Sequence, residues 1–430
     1  MIDPHYQELY ISVQSATRDD TLEDTVSVEL SGGIKIAVEN RLKDQPALLT
    51  CAATLGIKES GKPDFTVMKL PEPATTVGMF TKNRCPSVTV LRNKECLKSG
   101  KTQIIAVNSG NSNVFTPSGD QDLAEVVELI SKEFSVPAPM ILMCSTGVIG
   151  VPLPMDKFRK GIPNLAKTFS QDNLSAAAEA IITTDRYPKS ASIRVGDVII
   201  SGIAKGAGMI EPNLATMLVY LFTNISIPAQ ELTEHLEYAV QNSFNAISID
   251  SDTSTSDSVI LASNDSLPAN AISSTDFRRA LTALCLKLSR DIVSQGEGVG
   301  KILECCVDSE TSEVFSRQVA KQIINSPLFK CAMHGGDPNW GRIVMAIGKG
   351  WTQDSPLLFT PEMLTIGLQG ITVLERGHPI KLDLGILAKR IKDERVIEIS
   401  VLIGKGGKKA RAWGADLTAE YVSINADYTT

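Results

Sequence analysis

The stretch from Lys205 to Thr223, K-G-A-G-M-I-E-P-N-L-A-T-M-L-V-Y-L-F-T, limits what this chain can fold into more than any other segment. Its first half is a loop: Gly206 and Gly208 permit close backbone approach or positive φ, and Pro212 ends any helix that reaches it. Its second half, Met217 to Phe222, is an unbroken apolar run of the kind that fills a buried strand or the start of a buried helix. The fold must therefore lead a glycine loop straight into a dry interior. Thr216 stands at the junction. A β-branched residue heading a buried element is ordinary; two glycines, Lys205 and a turn converging on one hydroxyl are not.

A threonine hydroxyl is a weak nucleophile until a base takes its proton, and one arrangement supplies the base internally, by making threonine the first residue of a new chain with a free α-amine. Cleavage between Ala215 and Thr216 would create that arrangement here. A backbone-lined, water-poor threonine is what acyl transfer needs.

The same run resembles the maturation site of the self-cleaving ornithine acetyltransferase (glutamate N-acetyltransferase) family, Lys-Gly-x-Gly-Met-Ile-x-Pro followed by Ala-Thr-Met-Leu. Further blocks are similar and come in the family's order: N-S-G-N-S-N from Asn108, S-T-G-V-I-G from Ser145, T-T-D-R-Y-P-K from Thr183, S-I-D-S-D-T-S-T-S-D from Ser248, G-E-G from Gly296, G-D-P-N-W-G-R from Gly336, and N-A-D-Y-T-T at the end. The resemblance spans the chain from about Gly33 to Thr430. It implies layered αββα sandwiches with a smaller C-terminal α/β part from about residue 301. It also implies two fragments after cleavage, 1–215 and 216–430, associating as an α2β2 heterotetramer.

Composition fits a small-molecule enzyme. A length of 430 residues gives two to three domains, and 43% hydrophobic with 21% charged residues is a globular balance. The net charge of −7 argues against a nucleic-acid partner. Eight cysteines show neither CxxC spacing nor histidine pairing, so they read as reduced and mostly buried thiols, with no zinc site. The start lacks the features of a leader peptide and no apolar run reaches membrane-spanning length; the expected place of work is the cytoplasm.

Periodicity places helices from Asp120 or Asp122 (Leu123, Val126, Val127, Ile130, Phe134), from Pro228 (Leu232, Leu236, Ala239, Val240) and from Thr275 (Phe277, Leu281, Leu284, Leu288, Ile292). Strands are expected at Ile34 to Val38, Ile104 to Val107, Met140 to Met143, Val198 to Ile203, Val259 to Ala262 and Val396 to Leu402. The pattern is mixed α/β with helix-covered sheets.

Three rival motifs fail on their own chemistry. Gly56-x4-Gly61-Lys62 matches a phosphate loop until Pro63, which lacks both the hydroxyl and the N–H that such a loop needs. Asp250-x-Asp252-x-Ser254-x-Ser256 opens like a calcium loop but has Thr255 where glycine belongs and Leu261 where glutamate belongs, and reads as a polar turn. Lys405, Lys408, Lys409 and Arg411 read as a solvated hairpin. The four histidines offer no Ser-His-Asp scaffold.

What the resemblance implies for the chemistry is specific. Thr216 is nucleophile and base; Thr146, through its hydroxyl, and Gly147, through its N–H, form the oxyanion hole. Without the resemblance, Thr146-Gly147 would read as a tight turn after the strand ending at Met143. Thr183, Lys205, Thr216, Glu297, Asn425 and the terminal Thr430 line the substrate pocket, and Lys205 helps keep the Thr216 amine neutral by like-charge repulsion. The substrates are N-acetylornithine and glutamate, in arginine biosynthesis. No metal or prosthetic group is implied; acetyl-CoA stays open as an alternative donor. The family pattern is broken at Arg186, Tyr187 and Gln295, which bears on substrate choice. Two alternatives stay open at this level: a self-processed threonine amidase or aminopeptidase that gives the acyl group to water, and a homologue without catalysis.

Overall fold

The computed structural model describes residues 9–13, 24–171, 173–211, 217–351 and 358–427. The chain divides into two units, one holding Gln7–Asn245 and Asp252–Ile292, the other Ala246–Ser251 and Val293–Tyr428.

The larger unit is built on a nine-stranded sheet whose main path runs Ile141–Val148, Lys101–Asn111, Phe65–Phe80, Ser258–Leu267, Leu218–Ile225, Val198–Lys205, Lys189–Val195. Both faces are buried, and the two-residue period of a strand sorts its side chains. Ile104, Ala106, Ile141 and Met143 pack with Leu123, Val126, Val127, Ile130 and Phe134 of the helix Gly119–Phe134. Ile105, Val107, Leu142 and Cys144 face the other way, onto Leu174, Ala177, Ala178 and Ile181 of the helix Leu174–Ile181. That short helix also touches Val198–Lys205 and Lys189–Val195, so the sheet curves around it. The apolar run after the glycine loop becomes the central strand Leu218–Ile225, buried at every position. It pairs antiparallel to Val198–Lys205 and parallel to Ser258–Leu267. The helix Ser274–Ser294 packs on the same strands, with Leu288 against Gly202. Tight burial there leaves no room for a side chain at Gly202.

The smaller unit has a seven-stranded sheet in the order Ile247–Ser248, Lys408–Ala415, Ile302–Ser309, Val396–Ile403, Leu364–Leu368, Ile371–Glu375, His378–Pro379. One face is covered by the helices Glu313–Ile324, Pro327–Gly335, Gly341–Gly350 and Leu384–Asp393. Accordingly Ile397, Ile399, Val401 and Ile403 point into the core while Glu398 and Leu402 point out. This is the mixed α/β class expected from the pattern, layered as the resemblance implies, with a smaller α/β part toward the C-terminus.

The expected hairpin at Lys405 to Arg411 is not one. The strand Ile302–Ser309 lies between Val396–Ile403 and Lys408–Ala415, parallel to the first and antiparallel to the second, so residues 404–407 cross over its end. Carboxylates in and just after that inserted strand hold the crossover. Asp308 Oδ1 accepts the amides of Gly407 (2.5 Å) and Lys408 (3.1 Å), and Glu310 Oε2 accepts that of Lys405 (2.8 Å). Lys409 pairs with Asp308 and Arg411 with Glu304, so two of the four basic side chains are ion-paired within the same unit.

Candidate active site

The strand Ile141–Val148 does not turn after Met143. It runs on through Thr146 and Gly147, parallel to Lys101–Asn111, and its register slips at Asn111, which faces both Thr146 and Val148. Gly147 has φ +132°, and a Cβ there would sit 2.7 Å from Gly110 Cα and 2.5 Å from Asn111 N. Two glycine backbones therefore touch, and no other residue type fits at 147. The N-S-G-N-S-N block holds this slip in place. Asn108 Nδ2 donates to Asn111 O (2.8 Å), Ser145 Oγ bonds Asn108 Oδ1 (2.7 Å), and Asn111 Nδ2 reaches Val151 O (2.9 Å). Asn113 N donates to Asn111 Oδ1 (2.8 Å) and Asn113 Nδ2 to Gly119 O (3.0 Å). These buried amides act as a preorganising brace for Thr146 and Gly147.

The same brace reaches Thr183. Ser109 Oγ bonds Ala180 O (2.6 Å), tying the strand end to the helix that leads into Thr183. Thr183 N donates to Asp185 Oδ2 (3.2 Å); Asp185 Oδ1 accepts from Lys189 Nζ (2.7 Å) and from Gly206 N (2.7 Å), the residue after Lys205. Hydrogen bonds at Ser145, Ser109, Asp185 and Gly206, joined by the short backbone stretches between them, thus fix the segments that carry Thr146, Gly147, Thr183 and Lys205. Burial alone would push the Asp185 carboxyl up, but Lys189, Lys205 and the Gly206 amide outweigh it and carry it down to about 2.

Asp257 has the opposite fate. It is buried next to Lys205 and the amide of Met217, and desolvation drives its carboxyl well above the usual range against the pull of Ser254, Lys205 and that amide. Its Oδ2 has no hydrogen-bond partner. Both carboxyls lie in the field of Lys205, yet they are moved in opposite directions, Asp185 down by its partners and Asp257 up by burial. The polar turn before it is tightly held: Thr81 Oγ1 bonds Ser254 O (2.8 Å) and Asn83 Nδ2 bonds Thr253 O (2.8 Å). Glu211 N donates to Asp252 O (2.8 Å), anchoring the glycine loop just before Pro212. Gly206 serves close approach, since a Cβ there would lie 2.9 Å from Ile210 Cδ1.

Ala215, Thr216 and Thr430 lie outside the described residues. Glu297 and Asn425 belong to the smaller unit, where Asn425 Nδ2 donates to Glu297 Oε2 (2.9 Å) from the helix Ala419–Asp427. At the positions that break the family pattern, the Arg186 guanidinium lies 5.7 Å from the centre of the Tyr187 ring, both exposed, and Gln295 keeps an unpartnered buried oxygen. The Gly56 loop turns its amides on its own carboxylate: Leu55 N and Ile57 N donate to Asp64 at 2.7 and 2.5 Å, leaving no cradle for phosphate. Among the described residues no group of His, Cys, Asp and Glu is placed to hold a metal. His334 does find a partner, Asp416 Oδ2 at 2.9 Å, whose other oxygen takes the Gly300 and Lys301 amides. All eight cysteines are free, four of them buried, while Cys85 and Cys331 are exposed.

Sequence reading missed Asp185, Lys189, Asp257 and Lys58. The first three lie inside blocks quoted for their resemblance; the segment from Asp185 to Lys189 is not helical, so spacing alone carried no signal of their pairing.

The layered α/β fold and the braced strand end at Thr146 and Gly147 fit an enzyme of acyl transfer. The ArgJ family model matches residues 49–430. The chain is 38% identical over 384 residues to arginine biosynthesis bifunctional protein ArgJ 2 of Clostridium acetobutylicum, covering 89% of this chain and 97% of that protein. It is 39% identical over 401 residues to the ArgJ protein of Nitrobacter winogradskyi, covering 89% and 94%. The crystal structure of the argJ protein from Bacillus halodurans is similar at 32% identity and TM-score 0.45, over 50% of this chain and 100% of that one. The chain belongs to the ArgJ family, the ornithine acetyltransferases whose sequence blocks it carries. It is an acetyltransferase of arginine biosynthesis.

Proposed function

We propose that this chain cuts itself between Ala215 and Thr216 and then moves acetyl from N-acetylornithine to glutamate through an acetyl ester on Thr216. In the first step the Thr216 hydroxyl attacks the Ala215 carbonyl carbon, the C–N bond gives way to an ester, the freed nitrogen takes a proton, and water hydrolyses the ester. The new α-amine, with an ordinary pKa of about 7.7–8.0, then serves as base for the same hydroxyl. The amine receives the hydroxyl proton as Thr216 attacks the acetyl carbonyl, and returns a proton to the departing nitrogen of ornithine. Glutamate reverses the sequence and leaves as N-acetylglutamate. Thr146 and Gly147 stabilise the oxyanion of each tetrahedral intermediate. Thr183, Lys205, Glu297, Asn425 and Thr430 hold the substrates. The fragments 1–215 and 216–430 stay together as α2β2 in the cytoplasm, without a prosthetic group. Acetyl-CoA is an alternative donor, in keeping with the word bifunctional in the relatives' names.

The observation that carries this reading is the brace that joins Thr146 and Gly147 to Thr183 and Lys205, at the start of a buried run beginning one residue after Thr216. Mass spectrometry tests it directly. Purified protein should give fragments 1–215 and 216–430, and brief incubation with N-acetylornithine should add one acetyl group to Thr216. Thr216→Ala should stay whole and unacetylated. An intact native chain, or acetate released at one rate with or without glutamate, would overturn the reading.

A further inference from the structure

Among the described residues Lys58 is a cation without a counter-ion, packed against Gly110 next to Gly147. Its backbone is pinned, because its N–H donates to Asp64 Oδ2 at 3.1 Å. Its aliphatic stem lies across Gly110, where a Cβ would meet Lys58 Cγ at 2.9 Å; Gly110 is the same glycine whose backbone touches Gly147. Its ammonium donates to the carbonyl of Ile182 at 3.1 Å, one residue before Thr183. No carboxylate of a described residue lies within ion-pair distance of it. A half-buried ammonium with one carbonyl partner still has two N–H donors to satisfy. Burial lowers its pKa, with Asp64 and Asp185 pulling the other way, so an anion bound there would relieve an existing cost.

A purely structural strap from Lys58 to Ile182 would explain one hydrogen bond but not why a charged group is placed between Gly110 and Thr183. Resting on the acetyl-transfer reading above, a chemical reason exists. N-acetylornithine, ornithine, glutamate and N-acetylglutamate differ in their tails, yet all carry a carboxylate on the carbon next to the reacting nitrogen. Whatever tail the pocket holds, that carboxylate lies a few bonds from the acetyl carbonyl that Thr146 and Gly147 receive. We propose that Lys58 is the binding residue for the α-carboxylate common to every substrate and product of the transfer.

The test compares ornithine with 1,4-diaminobutane, its decarboxylated form, as inhibitors of acetyl transfer in the matured enzyme. Lys58→Met should weaken ornithine by about tenfold to a hundredfold, the range of a hydrogen bond between charged groups, and leave diaminobutane unchanged, including unchanged at no measurable inhibition. The apparent KM for N-acetylornithine should rise with it, and Lys58→Arg should keep most of the native affinity. Maturation into two fragments and an unshifted melting temperature show that the variants fold; if Lys58→Met does not, Lys58→Gln and Lys58→Arg carry the same comparison. Unchanged ornithine inhibition in a charge-neutral variant, or an equal loss for both inhibitors, would overturn the proposal. A native enzyme that ornithine does not inhibit would instead refute the acetyl-transfer reading.

Discussion

Removing Asp185 should uncover how much the buried chain from Thr183 to Gly206 contributes to the fold. Asp185 and Lys189 are both fully buried at their side chains, 2.7 Å apart. Breaking such a pair from one side leaves an uncompensated buried charge and costs about 3–5 kcal/mol. The carboxyl's descent from 3.8 to about 2 independently gives a linkage contribution of about 2 kcal/mol, the same order. Because the folded value lies below the unfolded one, that contribution is complete above pH 3.8 and is lost as pH falls toward 2. Asp185→Leu and Lys189→Met should each lower the melting temperature by about 6–20 °C, at about 2–4 °C per kcal/mol for a unit of this size. The double variant removes both charges and leaves only the Thr183 and Gly206 amides short of an acceptor, so it should lose about 2–3 kcal/mol less than the sum of the singles. Calorimetry on the uncut Thr216→Ala chain, which avoids fragment dissociation, measures all four corners of the cycle. Singles that melt within about 2 °C of the parent, or a double equal to their sum, would refute the reasoning.

Thr146→Ala should slow self-cleavage and acetyl transfer alike by about 10² to 10³, with circular dichroism unchanged; native rates in a gel time course would remove it from the oxyanion hole. Gly147→Ala places a side chain at φ +132° against the Gly110 and Asn111 backbone, a strain of about 1–3 kcal/mol from the dihedral alone. It should yield insoluble or uncut chain, and a soluble variant that matures at the native rate would contradict the close packing described. Glu297→Gln should raise the apparent KM for N-acetylornithine several-fold while sparing that for glutamate, because it removes an acid suited to a cationic tail; steady-state kinetics with both substrates decide it.

Local periodicity carried the helices. Leu123, Val126, Val127, Ile130 and Phe134 all fall on the buried stripe of Gly119–Phe134, since helix spacing depends on neighbours within two turns. Sequence could not show where long-range partners stop an element or place it. The strand expected to end at Met143 continues to Val148 because Lys101–Asn111 offers it a ladder and Ser145 has a partner 37 residues away. The basic hairpin failed for a similar reason. Hairpin signals assume that consecutive strands pair, and burial of Leu303, Cys305 and Val307 instead inserts Ile302–Ser309 between them.

The site shows the same division in sharper form. Recognisable blocks named Thr146, Gly147, Thr183 and Lys205 as candidates without saying what holds their segments in place, because a brace such as Ser109 to Ala180 joins residues 71 positions apart. Lys58 shows what that hides. In one dimension it sits inside a failed phosphate loop, and the glycines and lysine around it suggest nucleotide chemistry that Pro63 forbids. In three dimensions Asp64 takes that loop's amides for itself and, in doing so, aims a lysine across Gly110. The misleading motif and the placing of Lys58 therefore have one cause: a loop folded tightly on its own carboxylate spends its backbone amides there and sends the lysine side chain across Gly110 to the carbonyl of Ile182.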